Sequence, residues 1–453
     1  MVRLRFLFLL LLCALDAAAQ AEPDSLARIV AERLEQSEAP ACIAVGLVAE
    51  TTQTAFGCSA GAGPLVPDAR SIFEIGSITK GFTGLLLADM VRKGEISLDD
   101  TAAKYSPADA KLPDRGGVAI TLRDIVTQTS GLPRMPPIFK PANPRNPYAD
   151  FDASALYNAL AHTEATNQEG RYEYSNFGFM WLSEILSRRG ATGYEALLRE
   201  RILDPLGMED TRLSLSPDQV KRFVPGHDAM YNVVPHWDNA AELAGVGGLR
   251  ASLGDMLKLA AALAGRVKTP LDETIELALK PMRPSMPGTS TGFAWITRER
   301  GDIRIQFHGG GTFGFRSMIA VNPATRTAAV VLVDSFTSFD DLAVHLVDPQ
   351  FPLMRKRVGL FTDAAMRNEY VGRYVLTPKL TLTVFVDGDR LMTQGTGQRA
   401  IEIAREGPDT FFPYVVPARL RFSRAADGTV DGLTLEQGGA ELRGKREPLE
   451  TPK

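Results

Sequence analysis

Phe73-Glu74-Ile75-Gly76-Ser77-Ile78-Thr79-Lys80-Gly81-Phe82-Thr83-Gly84-Leu85-Leu86-Leu87 is the stretch whose reading decides the fold. Apolar residues run from Ile78 through Phe82 and Leu85 to Met90 and Val91 with almost no polar face, and Gly94 follows. That pattern reads as a helix buried on all sides and stopped at its C-terminus by glycine. Ser77 opens the helix. Residues three apart share a helix face, so Lys80 sits one turn above Ser77 with its amine within reach of the hydroxyl, a nucleophile beside a base. Gly81 and Gly84 each cost about 1 kcal/mol of helix propensity against alanine. Something must therefore approach the helix closely there, and a cleft is one candidate.

Taken alone, Ser-x-x-Lys is a weak signal. About one copy is expected by chance in a chain of this size, and an N-cap serine followed by a surface lysine would look the same. The motif occurs once here, inside an apolar helix. A lysine in that setting loses hydration unless it faces a polar site, so burial predicts either a partner or a depressed pKa.

The chain has 453 residues, 45% apolar and 23% charged, which is ordinary globular composition with room for a large core and more than one domain. A formal charge of -4 leaves no basic footprint and argues against a nucleic-acid partner. His162, His227, His236, His308 and His345 are scattered without metal-ligand spacing, so no metal and no cofactor is expected. Residues 1–21 have the layout of a secretory signal peptide: Arg3 and Arg5, an apolar run to Leu15, then Ala19-x-Ala21 before Glu22. A lipid anchor at Cys13 is a minor alternative, because Leu10-Leu11-Leu12 lacks the small residues such a site prefers. After cleavage the protein is expected in the periplasm or outside the cell, with no stable membrane span. Cys42 and Cys58 would then be the remaining cysteines, in a compartment where they can pair.

Leu26, Ile29, Val30 and Leu34 give an amphipathic first helix over 25–36. Ala41–Val48 and Thr54–Cys58 read as a hairpin. If it folds about Glu50, Cys42 faces Cys58 and a disulfide can form, whereas a slip of one residue puts the sulfurs on opposite faces. Helical signals follow the buried helix at 120–126, Phe177–Arg188, Leu197–Met208 and Asp255–Leu263. Between the first two of these lie Thr129-Ser130-Gly131-Leu132-Pro133 and then a loop, Met135–Tyr148, crowded with Pro136, Pro137, Pro141, Pro144 and Pro147. Strands return at Ile303, Ile305 and Phe307, which alternate with polar neighbours, and continue at Ser317–Val321 and Ala328–Val333. A sheet begun at residue 41 and resumed near 303 indicates one domain with an inserted helical lobe, and the crevice between lobe and sheet is the natural pocket. Beyond Pro349, eight short strands punctuated by Asp387-Gly388, Asp427-Gly428 and Gly438-Gly439 argue a small β-barrel or sandwich that carries no evident chemistry. The expected division is a hydrolase domain at 22–349, a linker at 350–367 and the β-domain at 368–453.

Three pieces stand in order: Ser77-x-x-Lys80, Tyr174-x-Asn176, and His308-Gly309-Gly310 at a strand end. With Phe73-Glu74-Ile75-Gly76, Pro205-Leu206-Gly207-Met208 and Gly310-Gly311-Thr312-Phe313-Gly314-Phe315, the chain from about residue 25 to 345 resembles the serine β-lactamase and penicillin-binding protein superfamily. The likeness is to the class C β-lactamases and their D,D-carboxypeptidase and esterase relatives. The resemblance implies an α+β fold, an antiparallel sheet flanked by helices with an inserted helical lobe. It also implies an acyl-enzyme on Ser77, with Lys80 and Tyr174 sharing proton transfer; either the amine or the phenolate could take the serine proton. Asn176 would donate to a substrate carbonyl, and the N–H groups of Ser77 and Gly311, beside Gly310, would form the oxyanion hole. Substrates of this kind are β-lactams, esters or peptides derived from peptidoglycan, and the rival outcomes are an esterase or D-amino-acid peptidase, or a sensor that acylates without turnover. His308-Gly309-Gly310 departs from the Lys-Thr-Gly usual in class C enzymes. On the sequence, a His308 imidazole with an unperturbed pKa of about 6.5 would attract a substrate carboxylate as pH falls from about 7.5 to 5.5. Gln128 replaces a histidine frequent in relatives, and the β-domain resembles the lipocalin-like modules appended to some of these hydrolases.

Overall fold

The computed structural model describes residues 26–447 except 38, 166–169, 229, 356–357, 399, 415–417 and 438–439. The expected signal peptide, with Cys13 and Ala19-x-Ala21, lies outside the described residues, as does the Gly438-Gly439 turn. No helix among the described residues is long and apolar enough to cross a membrane.

The fold is α+β. Eight antiparallel strands form one sheet in the order Thr52–Cys58, Cys42–Val48, Thr327–Val333, Arg316–Asn322, Ile303–Gly311, Ile296–Arg300, Thr289–Thr291 and Arg283–Pro284. Cys42–Val48 and Thr327–Val333 read as nearly unbroken apolar runs because both faces of the sheet are covered. Ala44 and Val48 join the core under the helical lobe, and Ile43 and Val45 join a second core beneath the helices Leu26–Glu35 and Asp340–Val347. Those two helices are tied by a buried pair, with Arg33 Nε 2.8 Å and Nη2 3.1 Å from the Asp341 carboxylate. In the hairpin Cys42 does face Cys58, with Cα atoms 4.0 Å apart, and the two form a disulfide.

The serine helix spans Thr79–Arg92 and is buried along its whole length from Thr79 to Met90. Its end is the expected one. Gly94, at φ +70°, donates to Val91 O and Glu95 to Met90 O, a paired closure that needs a left-handed residue. Gly81 and Gly84 do not open onto a cleft. A Cβ at Gly81 would lie 2.8 Å from Trp295 Cζ2, and one at Gly84 would lie 2.1 Å from the Phe293 carbonyl, so the glycines admit the chain that leads into Ile296–Arg300. The expected single helix over Leu197–Met208 is instead a helix at Tyr194–Leu198, a π turn at Arg199–Leu203 and a 3-10 turn at Asp204–Leu206, broken where Pro205 removes a donor.

The C-terminal region is a closed eight-stranded antiparallel barrel from Gly372–Thr377 to Ala440–Arg446. Its interior is filled by Tyr370, Tyr374, Phe411, Phe422, Leu391 and Ile403. Closure leaves no free edge in that unit.

Candidate active site

Ser77 stands in a 3-10 turn, Gly76–Ile78, so the α-helix proper begins two residues after it. Gly76 has φ +48°, and a Cβ there would sit 2.6 Å from the Gly311 nitrogen, so glycine is what lets this turn lie against the strand Ile303–Gly311. Gly310 presses on the same turn: a Cβ would fall 2.0 Å from the Ile75 oxygen. Ser317 Oγ donates to that oxygen at 2.8 Å and fastens the neighbouring strand to the turn. Gly310 and Gly311 are thereby brought beside Ser77.

Lys80 is fully buried, and its Nζ lies 3.0 Å from Ser77 Oγ and 2.5 Å from the Val246 carbonyl oxygen. Val246 ends the 3-10 segment Ala241–Val246, which Thr83 also holds by donating to Gly245 O at 2.7 Å. Burial first, and then the positive charge of Arg134, push the Lys80 amine well below its ordinary pKa. The Tyr174 side chain lies near Ser77, which slightly favours its ionised form, and Lys80 Nζ lies 5.1 Å from the centre of the Tyr174 ring. Burial raises the Tyr174 phenol strongly, so it keeps its proton at neutral pH and the amine is the better proton acceptor.

Tyr174 precedes the helix Asn176–Gly190, whose N-cap is Ser175, with Oγ accepting from Gly178 N at 2.9 Å. Asn176 is the first helical residue, so capping falls to its neighbour and the Asn176 amide is left near Met135 Sδ, at 3.5 Å. Gln128 fixes the segment from behind. Its Oε1 accepts from Ser175 N at 2.7 Å and its carbonyl accepts from Glu173 N at 2.8 Å, while its own φ is +60°. Gln128 therefore has a definite task, to hold the backbone on both sides of Tyr174.

His308 departs from expectation. Its ring is 3% exposed, and Nδ1 donates to the Gly309 carbonyl at 2.7 Å, since a carbonyl oxygen can only accept. Burial is the main cause that lowers its pKa to about 4, and any ammonium form of Lys80 would lower it further. The imidazole is neutral from pH 7.5 to 5.5, and the expected switch in carboxylate attraction is absent from that range.

The sequence reading missed Arg134, Gln128 and the Val246 carbonyl as parts of this site. Arg134 directly follows Ser130-Gly131-Leu132-Pro133, which was its one available signal; a backbone acceptor such as Val246 O leaves none.

The sequence model of the Beta-lactamase family matches residues 26–347. The D-alanyl-D-alanine-carboxypeptidase/endopeptidase AmpH of Escherichia coli K12 is 28% identical over 283 residues, 59% of this chain and 72% of that protein. Penicillin-binding protein 4* of Bacillus subtilis is 24% identical over 427 residues, 82% of this chain and 87% of its own length. The β-lactamase/D-alanine carboxypeptidase from Yersinia pestis has the same fold, with a TM-score of 0.60 at 21% identity over 72% of this chain and 98% of that one. With the Ser77, Lys80 and Tyr174 side chains gathered in one place, and the family match spanning both sheet and lobe, the chain belongs to the Beta-lactamase family and is a serine hydrolase of the β-lactamase and D,D-peptidase type.

Proposed function

We propose that this is an exported hydrolase that forms an acyl-enzyme on Ser77 with β-lactams, D-alanyl peptides or related esters. The observation that carries the reading is the buried Lys80 amine, 3.0 Å from Ser77 Oγ and disfavoured as an ammonium. Ser77 Oγ bonds to the substrate carbonyl carbon as its proton passes to Lys80. The Tyr174 hydroxyl gives its proton to the departing nitrogen or oxygen and recovers one from Lys80. Water then cleaves the ester by the reverse path. Each positioned proton transfer is worth about 10²–10⁴-fold. The N–H groups of Ser77 and Gly311 would hold the oxyanion, and Asn176 would donate to a substrate carbonyl. His308 contributes as a neutral wall beside Lys80.

Intact-mass measurement after incubation with a fluorescent penicillin or a fluorophosphonate tests this: one adduct per chain is expected, lost in Ser77→Ala. Labelling that persists unchanged in Ser77→Ala refutes the assignment. A second reading, preference for neutral esters, is favoured by His308 being uncharged. A hydrolysis panel of nitrocefin, p-nitrophenyl esters and D-alanyl peptides separates the two, and persistence of the penicillin adduct for hours would favour a sensor over a hydrolase.

A further inference from the structure

A class C site that lacks a cation at position 308 has either lost its hold on substrate carboxylates or placed that hold elsewhere. Arg134 is placed to supply it. Its backbone is fixed, because its carbonyl accepts from Asn176 N at 2.9 Å and Phe177 N at 3.3 Å, and Ser175 Oγ donates to the adjoining Pro133 carbonyl at 2.8 Å. Its side chain is exposed and lies over the ring of Tyr174, with Cζ 5.1 Å from the ring centre, the same ring that Lys80 approaches. Among the described residues no carboxylate pairs with this guanidinium. The titratable groups that feel it are Lys80 from the serine helix, Tyr172 and Tyr174 from the segment before Asn176, and Tyr148 from the proline-rich loop. None of them is an anion at neutral pH. A planar fork of donors, stacked on an aromatic face and lacking a counter-ion, matches a carboxylate in both charge and geometry.

The neighbouring alternative is Arg316, which stands opposite Gly311 in the sheet. Gly309 and Gly311 face Met318 and Arg316, whereas Gly310 faces the Ile75 turn that leads to Ser77. Arg316 therefore lies on the other face of the strand, over Phe336 and 3.7 Å from Asp340.

We propose that Arg134 is the carboxylate-recognition residue of this cleft and directs it towards acyl substrates that carry a free carboxylate. The proposal rests on the acyl-enzyme reading above. Arginine stays charged at every pH of interest, so the preference it confers does not titrate.

The test is the ratio of kcat/KM for an acyl substrate with a free carboxylate to that for its methyl ester, a ratio in which the general base cancels. In the wild-type protein the ratio should exceed one and stay level from about pH 5.5 to 7.5, where arginine does not change charge. Arg134→Gln should lower it about tenfold, the scale of a charge-assisted pair in a part-solvated site, chiefly through KM for the acid. Arg134→Lys should fall between, keeping the charge without the fork. Fluorophosphonate labelling of Ser77 is run on every variant and keeps the two readings apart. Labelling with an unchanged ratio in Arg134→Gln overturns this proposal alone, as does a ratio that falls in Arg316→Gln instead. Failure of every acyl probe to label the wild-type protein overturns the acyl-enzyme reading and this proposal with it.

Discussion

Lys80 has no solvent-exposed surface, and both of its contacts, Ser77 Oγ and Val246 O, can be made by an uncharged amine. The sign of the pH dependence follows. Burial and Arg134 both disfavour the ammonium, so the folded pKa lies below the ordinary lysine value, and the base proposed here is present above that pKa and lost as pH falls through it. The kcat/KM of a neutral ester should therefore drop on the acid side with an inflection well below that of free lysine. Removing Arg134 withdraws one of the two depressing influences, so the acid limb of Arg134→Gln should move to higher pH. A pH profile of ester hydrolysis checks this, and a limb that stays in place or moves down would show that Arg134 does not act on Lys80. At this scale the sequence was informative about side chains and silent about the backbone. Ser77, Lys80 and Tyr174 are motif residues and come together as the motif implies. The burial that makes His308 neutral comes from three-dimensional packing around a strand end, which residue order alone does not display.

For the elements, propensity and packing give opposite answers at Gly84. Alanine is better than glycine in a helix by about 1 kcal/mol, yet a Cβ at Gly84 would meet the Phe293 carbonyl oxygen at 2.1 Å. Packing wins because a backbone oxygen cannot swing aside as a side chain can. Gly84→Ala should lower stability by about 3 kcal/mol or more, the upper range for overpacking, read as a reduced urea midpoint. A midpoint that rises would mean the chain at Phe293 yields easily. The elements themselves were legible where a period ran long enough: the serine helix, the Cys42–Cys58 hairpin and the strands of the barrel. Those that escaped were short or lacked a period. Ala153–Ala161 is a nine-residue helix capped by Asp152 directly after the proline-rich loop, and Ile296–Arg300 is a strand whose outer half is charged and exposed.

Across the whole molecule the residues of the site lie before the barrel, and the connector belongs in part to each side. Met354 N donates to Asp341 Oδ2 at 2.7 Å, while Leu360 N donates to Arg405 O at 2.8 Å in the barrel. A chain ended after Arg355 keeps the first of these bonds and every residue of the sheet and lobe. It should still be labelled at Ser77 by penicillin, measured by intact mass, and a folded truncation that is unreactive would mean that the barrel completes the cleft. The two-part organisation was readable from the change of texture after Pro349. The spacing of the short strands allows an up-and-down barrel or a sandwich, and the barrel is what forms, closed where its first and last strands meet through the pairs Tyr374 with Arg446 and Val375 with Lys445. The sheet carries a similar long-range pairing with a temporal consequence. Cys42–Val48 is hydrogen-bonded on one side to Thr52–Cys58 and on the other to Thr327–Val333. The first partner emerges from the ribosome almost at once, only a short turn after it. The second arrives only after the entire helical lobe has been made. Until then a strand of the sequence CIAVGLV has an open, apolar side. The nascent chain thus has an aggregation-prone interval set by topology, one that a chaperone would have to cover.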